Sequence, residues 1–303
     1  MISNPKTWRL PRDPKWWQAK FLSFLILATL LIGWQYAVSK PAFDPAGKTD
    51  DELMLMEFNG DIVRNEAGDY IFNADKMTGL PGPLAVGAKV VEELSHPFHK
   101  NGTNDHGIGH LIMYTVARFS IGFLLASFVA IIVGVIIGLN PVIFAAVNPF
   151  LQVLKPISPL AWMPLLLYTV QKPTITAVLV VFMASLWPTV ANTAFGLASI
   201  DKDYLRVSKM LEFGWFRRLF TVILPAAAPA IVAGLRISFG SALVAVVPAE
   251  MLLGELGVGY LSWMEWNNLD IAGVLFAILV MGVVGFLMDL LLSKLSKAAS
   301  YAT

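Results

Sequence analysis

The chain has 303 residues, of which 56% are hydrophobic and 14% charged, with a mean hydropathy of +0.66, a formal net charge of +1 and no cysteine. Soluble domains carry about 25% charged residues. There is too little charge here to cover a water-facing surface, which excludes an ordinary soluble enzyme, a disordered chain and a nucleic-acid binder with a basic face. Without cysteine there are no disulfides and no thiolate metal sites.

Residues 1–20 hold Lys6, Arg9, Arg12, Lys15 and Lys20 against Asp13. The uncharged apolar run 21–38 follows. About 20 helical residues cross the hydrocarbon of a bilayer, so this run predicts a first membrane helix. Trp34 and the lack of a small-x-small cleavage site favour a retained helix over a signal peptide.

Segment 39–110 is polar, with twelve acids against six bases, and it holds all four histidines: His96, His99, His106 and His110. They read either as ordinary polar loop histidines or as a weak external metal site. His106-Gly-Ile-Gly-His110 has helical ligand spacing, but its two glycines weaken a helix and no Glu is interposed. No metal ligand is therefore assigned. Ala46-Gly47-Lys48-Thr49 looks like the end of a phosphate-binding loop, but Ala42 stands where that motif needs its first glycine. No nucleotide site is expected in this chain.

No charge occurs between Arg118 and Lys155. That is too long for one span, and Asn140-Pro141 splits it into helices over 111–139 and 143–170. The second contains Lys155-Pro156-Ile157-Ser158-Pro159-Leu160-Ala161-Trp162-Met163-Pro164. Interrupted backbone at membrane depth survives only when buried in protein or lining a wet cavity. It is either a kinked packing helix or a wall of a translocation pathway. A fourth helix, within 174–198, carries a second kink at Leu186-Trp187-Pro188, beside Asn192. Segment 199–222 is charged, with Tyr204, Leu205, Ser208, Leu211, Trp215, Leu219 and Val222 at three- and four-residue steps. It predicts a helix ending at Leu224-Pro225, either packed on the membrane domain or docking a partner. Helices over 230–250 and 271–293 and a tail, 294–303, complete the chain. The expected fold class is an all-α integral membrane protein of six transmembrane helices, five of them in a core over 111–293.

Six spans put both termini on one side. Basic residues concentrate in 1–20, 199–222 and the tail, whereas 39–110 is acidic and 251–270 holds Glu255, Glu265 and Asp270 with no base. The positive-inside rule makes the termini and 199–222 cytoplasmic and the acidic segments external. Ionisable groups within spans face partners or water. Arg118 and Glu250 fall at similar depth and predict an ion pair; the alternative for Arg118 and Lys155 is snorkelling to headgroups. Lys155, in the broken helix, and Arg236, near the inner end of the fifth span, are positioned to meet an anionic cargo.

Tyr204-Leu205-Arg206-Val207-Ser208 followed by Val222-Ile223-Leu224-Pro225 resembles the "EAA" loop of bacterial ABC importer permeases. Arg206-Val207-Ser208 replaces Glu-Ala-Ala, Glu212 occupies the family's glycine position, and Gly214 comes two residues late. Ser158–Pro164, Ser185–Thr193, Ala249-Glu250-Met251-Leu252 and Trp266-Asn267-Asn268-Leu269 are similar to the nitrate/bicarbonate branch of these permeases, which is akin to the sulfonate and taurine permeases. The likeness covers about residues 80–295. It implies a type I importer fold and a bacterial inner-membrane location. It also implies a second permease copy (a homodimer), two cytoplasmic ATPases that bind ATP and Mg, and an extracytoplasmic binding protein. The chain itself would hold no cofactor and catalyse nothing. Tyr204, Leu205, Arg206, Val207, Ser208, Glu212 and Gly214 would couple to the ATPase, and Lys155, Trp162, Trp187, Asn192 and Arg236 would line the pathway. Nitrate (with nitrite), serving nitrate assimilation, leads as cargo; bicarbonate, cyanate and sulfonates follow.

A self-contained secondary transporter is the rival. It predicts an internal repeat and carboxylates at depth. No repeat is visible, and Glu250 and Asp289 lie at span ends. An intramembrane enzyme would need a catalytic pair at depth, and every histidine lies outside.

Overall fold

The computed structural model describes residues 14–38, 48–64, 68–72, 80–102, 104–201, 203, 206, 208 and 210–301. It divides into two compact units, 1–90 and 91–303.

The first unit holds α1 (Pro14–Val38), α2 (Asp50–Phe58), the strands β1 (Ile62–Arg64) and β2 (Tyr70–Phe72), and the start of α3 (Pro83–Ser95). α1 is apolar all round, with its described side chains largely exposed, as befits a helix whose solvent is lipid. Thr49 caps α2 in a reciprocal capping box with Glu52, so the phosphate-loop lookalike ends as an ordinary helix start. β1 and β2 form an antiparallel pair, with Val63 opposite Ile71, in a polar stretch for which the sequence predicts no helix.

The second unit is the helical core: α4 (Ile108–Leu139), α5 (Pro141–Leu154), a 3-10 turn (Pro159–Trp162), α6 (Met163–Val170), α7 (Pro173–Ala198), α8 (Trp215–Arg218), α9 (Leu224–Leu253), α10 (Val258–Asn267) and α11 (Ile271–Tyr301). Five helices among the described residues are long and apolar enough to span a membrane, and α5 with 159–170 makes a sixth if that pair, bent by 89°, is one span. The helix expected over 143–170, interrupted at its prolines, is two helices here. The ladder breaks at Lys155–Ser158, because Pro156 and Pro159 both lack a backbone donor.

Packing settles whether the bent pair crosses. A Cβ on Gly122 would meet the Val178 carbonyl and Val181 at 2.8 Å, one on Gly134 would meet Thr193 at 2.6 Å, and one on Gly138 the Ala194 carbonyl at 2.6 Å. The contacts climb in step, so α4 and α7 run parallel. The chain between them must return across the bundle, and α5–α6 completes that crossing. Small residues let these backbones approach closely where lipid offers no hydrophobic drive. α9 runs the other way: Ser238 donates to the Ser185 carbonyl at 2.9 Å, while Glu255, just past its end, accepts from Thr174 at 2.9 Å. Phe119, Phe123 and Phe239 form the aromatic centre of this three-helix core, with Phe119 and Phe239 edge-to-face at 5.1 Å.

Two corrections concern 199–230. The segment is not one helix, since turn and loop at Leu211–Gly214 separate its halves. Nor does Leu224-Pro225 stop anything. Helix continues from Trp215 to Leu253 through a π-turn at Leu219–Ile223, where the Leu224 amide reaches the Leu219 carbonyl. The wider turn relieves the clash and missing donor that Pro225 brings. Arg236 consequently sits close to the middle of α9 rather than near its inner end.

Candidate functional site

The broken span, α7 and α9 line an open cavity of about 560 Å³ whose residues include Lys155, Ser158, Trp187, Pro188, Arg236 and Ser241. The break after Lys155 bends the chain by 89°, and Pro188, inside the continuous α7, lines the opening. Ser238 donates to the Ser185 carbonyl and shares a 2.5 Å hydrogen bond with Thr189, fastening α9 to α7 on either side of Pro188. Lys155 and Arg236 are both exposed to the cavity side, and among the described lining residues there is no carboxylate. Two cations and two hydroxyls facing one concavity can hold a small anion; a cation would be repelled.

Of the five residues expected along the pathway, Lys155, Trp187 and Arg236 line this cavity; Trp162 and Asn192 do not. Asn192 is turned to its own helix, donating to the Pro188 carbonyl at 2.8 Å, and its Cβ packs against Gly234. The Trp162 and Trp187 indole nitrogens are buried without hydrogen-bond partners. Ser158 and Ser241 join the site without a signal beyond their neighbours.

At one end of the bundle Arg118 Nη1 donates to Glu250 Oε1, and Nη2 donates to Glu255 Oε2 and the Leu256 carbonyl, both at 3.3 Å. Arg118 is 7% and Glu250 0% exposed, so Arg118 does not snorkel. Thr115, Thr174 and Glu255, which complete this cluster, carry no sequence pattern that singles them out.

At the opposite end lies the segment between α7 and α8. Tyr204, Leu205 and Val207 fall outside the described residues. Arg206 pairs with Asp203 at 2.9 Å in solvent, and Ser208 is buried. Glu212 has φ 51°, in the left-handed region, and Gly214 starts the next helical turn. Met210, Leu211, Trp215 and Phe216 are exposed there.

The histidine loop is structured. His99 Nδ1 contacts the His96 carbonyl at 2.7 Å and Nε2 the Asp105 carboxylate at 3.0 Å. These hydrogen bonds, the His96 carbonyl first, raise the His99 pKa above its ordinary value. His106 and His110 lie 5.8 Å apart by ring centroids, with Tyr114 and Phe98 beside them. Among the described residues no three His, Asp or Glu side chains are arranged to hold a metal ion.

The family model "Binding-protein-dependent transport system inner membrane component" matches residues 112–301. The nitrate import permease protein of Synechocystis sp. is 36% identical over 212 residues, covering 70% of this chain and 77% of that one. The bicarbonate transport system permease protein of Synechococcus elongatus is 35% identical over 222 residues, covering 72% and 80%. A putative aliphatic sulfonates transport permease protein of Bacillus subtilis is 32% identical over 182 residues, covering 60% and 65%. The fold is similar to a chain of the inward-facing MetNI methionine ABC transporter, with a TM-score of 0.54, 12% identity, and coverage of 63% of this chain and 95% of that chain.

Proposed function

Because the chain belongs to the binding-protein-dependent transport system inner membrane components, as a permease of the nitrate/bicarbonate type, we propose that it forms the pathway of an ATP-driven importer of a small inorganic oxyanion, nitrate first and bicarbonate second. The reading is supported most by one observation: Lys155 and Arg236 face one cavity with Ser158, Ser241 and no described carboxylate. An arginine near the middle of a membrane helix is costly against lipid. The exposed face of α9 around Arg236 therefore needs water or protein, and a second copy of this chain supplies both by closing the pathway.

The energy comes from outside the chain. Cytoplasmic ATPases grip the segment from Tyr204 to Gly214, and ATP closure favours one permease state by several kcal/mol, the order needed to switch a population. A binding protein delivers the anion at the other face. The basic 199–222 segment supports its placement in the cytoplasm with both termini. The pathway needs only weak anion affinity, since selectivity resides in the binding protein.

Lys155→Gln and Arg236→Gln, each reconstituted with ATPases and binding protein, should cut nitrate uptake by about tenfold, the effect of losing roughly 1.4 kcal/mol of stabilisation. Assembly with the ATPases should stay intact. Undiminished uptake in both variants would remove this cavity from the pathway.

A further inference from the structure

The ion cluster joining Arg118, Glu250 and Glu255 is built asymmetrically, and the asymmetry has a use. Glu250 is wholly buried, and both its oxygens are engaged. Oε1 accepts from Arg118, and Oε2 accepts from the Thr115 hydroxyl at 2.9 Å and the Gly259 amide at 3.0 Å. A Cβ on Gly257 would collide with the same carboxylate. Thr115 in turn accepts from the Val258 amide at 2.9 Å. This half of the cluster pins α4, the end of α9 and the start of α10 together.

Glu255 is different. It lies on the loop between α9 and α10, is 19% exposed, and meets Arg118 at a long 3.3 Å. Its other oxygen accepts from Thr174 at 2.9 Å, an exposed residue in the first turn of α7. Thr174 follows the turn that ends the broken span, where Gln171 adopts a left-handed φ of 56°. The cavity is lined by the broken span, by α7 at Met183, Ala184, Trp187 and Pro188, and by α9. Glu255 thus ties the start of α7 to the loop that ends α9, two of the lining elements, at the end opposite the coupling segment.

We propose that Glu255 is the releasable arm of a latch, with the Arg118–Glu250 pair as its fixed post, and that docking of the binding protein on the loop 254–270 frees this arm and lets the outer end of the cavity open. Buried, multiply bonded charge pairs are strongly destabilising to break. A partly exposed pair with one long contact contributes little and exchanges readily. Motion is therefore confined to the Glu255–Thr174 bridge while Arg118 stays seated. The latch rests on the importer reading, since it needs a docking partner to act.

The test uses the full complex in proteoliposomes, with ATP hydrolysis measured with and without binding protein loaded with nitrate, or with bicarbonate if nitrate supports no uptake. Glu255→Gln keeps the volume and loses the charge. It should raise hydrolysis without binding protein by roughly two- to fivefold, the shift one partly exposed ion pair supports, and lower the stimulation by binding protein correspondingly. Thr174→Val should move both readouts the same way by less, and Glu255→Asp should restore them toward wild type. A purely structural role would lower the amount of complex without changing the stimulation ratio. An unchanged ratio in assembled Glu255→Gln, or in Thr174→Val if Glu255→Gln does not assemble, overturns the latch and leaves the importer reading standing. A wild-type complex with no stimulation by binding protein would overturn both.

Discussion

Glu212 shows how a single residue can carry a departure from family pattern into backbone geometry. It occupies the position where the related loop has glycine, and its φ is 51°. A side chain in the left-handed region costs about 1–2 kcal/mol that glycine avoids. The glycine of the family pattern is thus explained by a turn, and the turn is retained here at the expense of local strain. Glu212→Gly should therefore stabilise the turn by up to about 1 kcal/mol, net of glycine's greater freedom in the unfolded chain. Slower hydrogen exchange of amides 210–216 in the variant would register this; faster exchange would count against it. The same scale decides what sequence could reveal of the site. Arg118 and Glu250 were legible because charge at depth demands a partner. Lys155 and Arg236 were picked out as charges within spans, and both line one cavity. Thr115, Thr174, Ser158 and Ser241 were not, because a hydroxyl in a membrane helix can bond its own backbone, as Ser185 does to the Val181 carbonyl at 2.9 Å. Only the fold decides which hydroxyls turn outward.

Among elements, the spans themselves were readable from apolar run length, and the break at 155–158 from its prolines. Proline was a poor guide to where helices end. Pro225, Pro229 and Pro248 all lie within or at the start of the long α9, the first accommodated by a π-turn. A breaker rule tuned to water fails where lipid offers no alternative partner for the backbone and the helix persists. The α4–α7 seam was invisible beforehand, since glycine in an apolar run has no distinguishing period. It is nonetheless the contact that fixes the bundle's topology. Gly134→Val would drive a Cβ to 2.6 Å from Thr193 Cβ and 3.1 Å from the Val190 carbonyl. Overpacking of this kind costs about 1–3 kcal/mol. Gly134→Val should lower the melting midpoint of the detergent-solubilised protein, whereas Gly240→Val, whose Cβ would meet nothing within 4 Å in the described chain, should not.

At the scale of the whole molecule the two ends of the core have opposite characters. One end is knotted by Arg118, Glu250 and Glu255; the other exposes Met210, Leu211, Trp215 and Phe216 around a broken helix. In the proposed importer, force applied at the loose end passes along the packed α7–α9 seam to the cavity between them and the broken span. On that reading the chain supplies the levers and the anion-facing surface, and the motor is a separate subunit. The most direct measurement is nitrate uptake into proteoliposomes containing the chain alone, the chain with ATPases and binding protein, and that same complex without ATP. Uptake in the second alone is the result expected; accumulation by the chain on its own, driven by an ion gradient, would contradict the account.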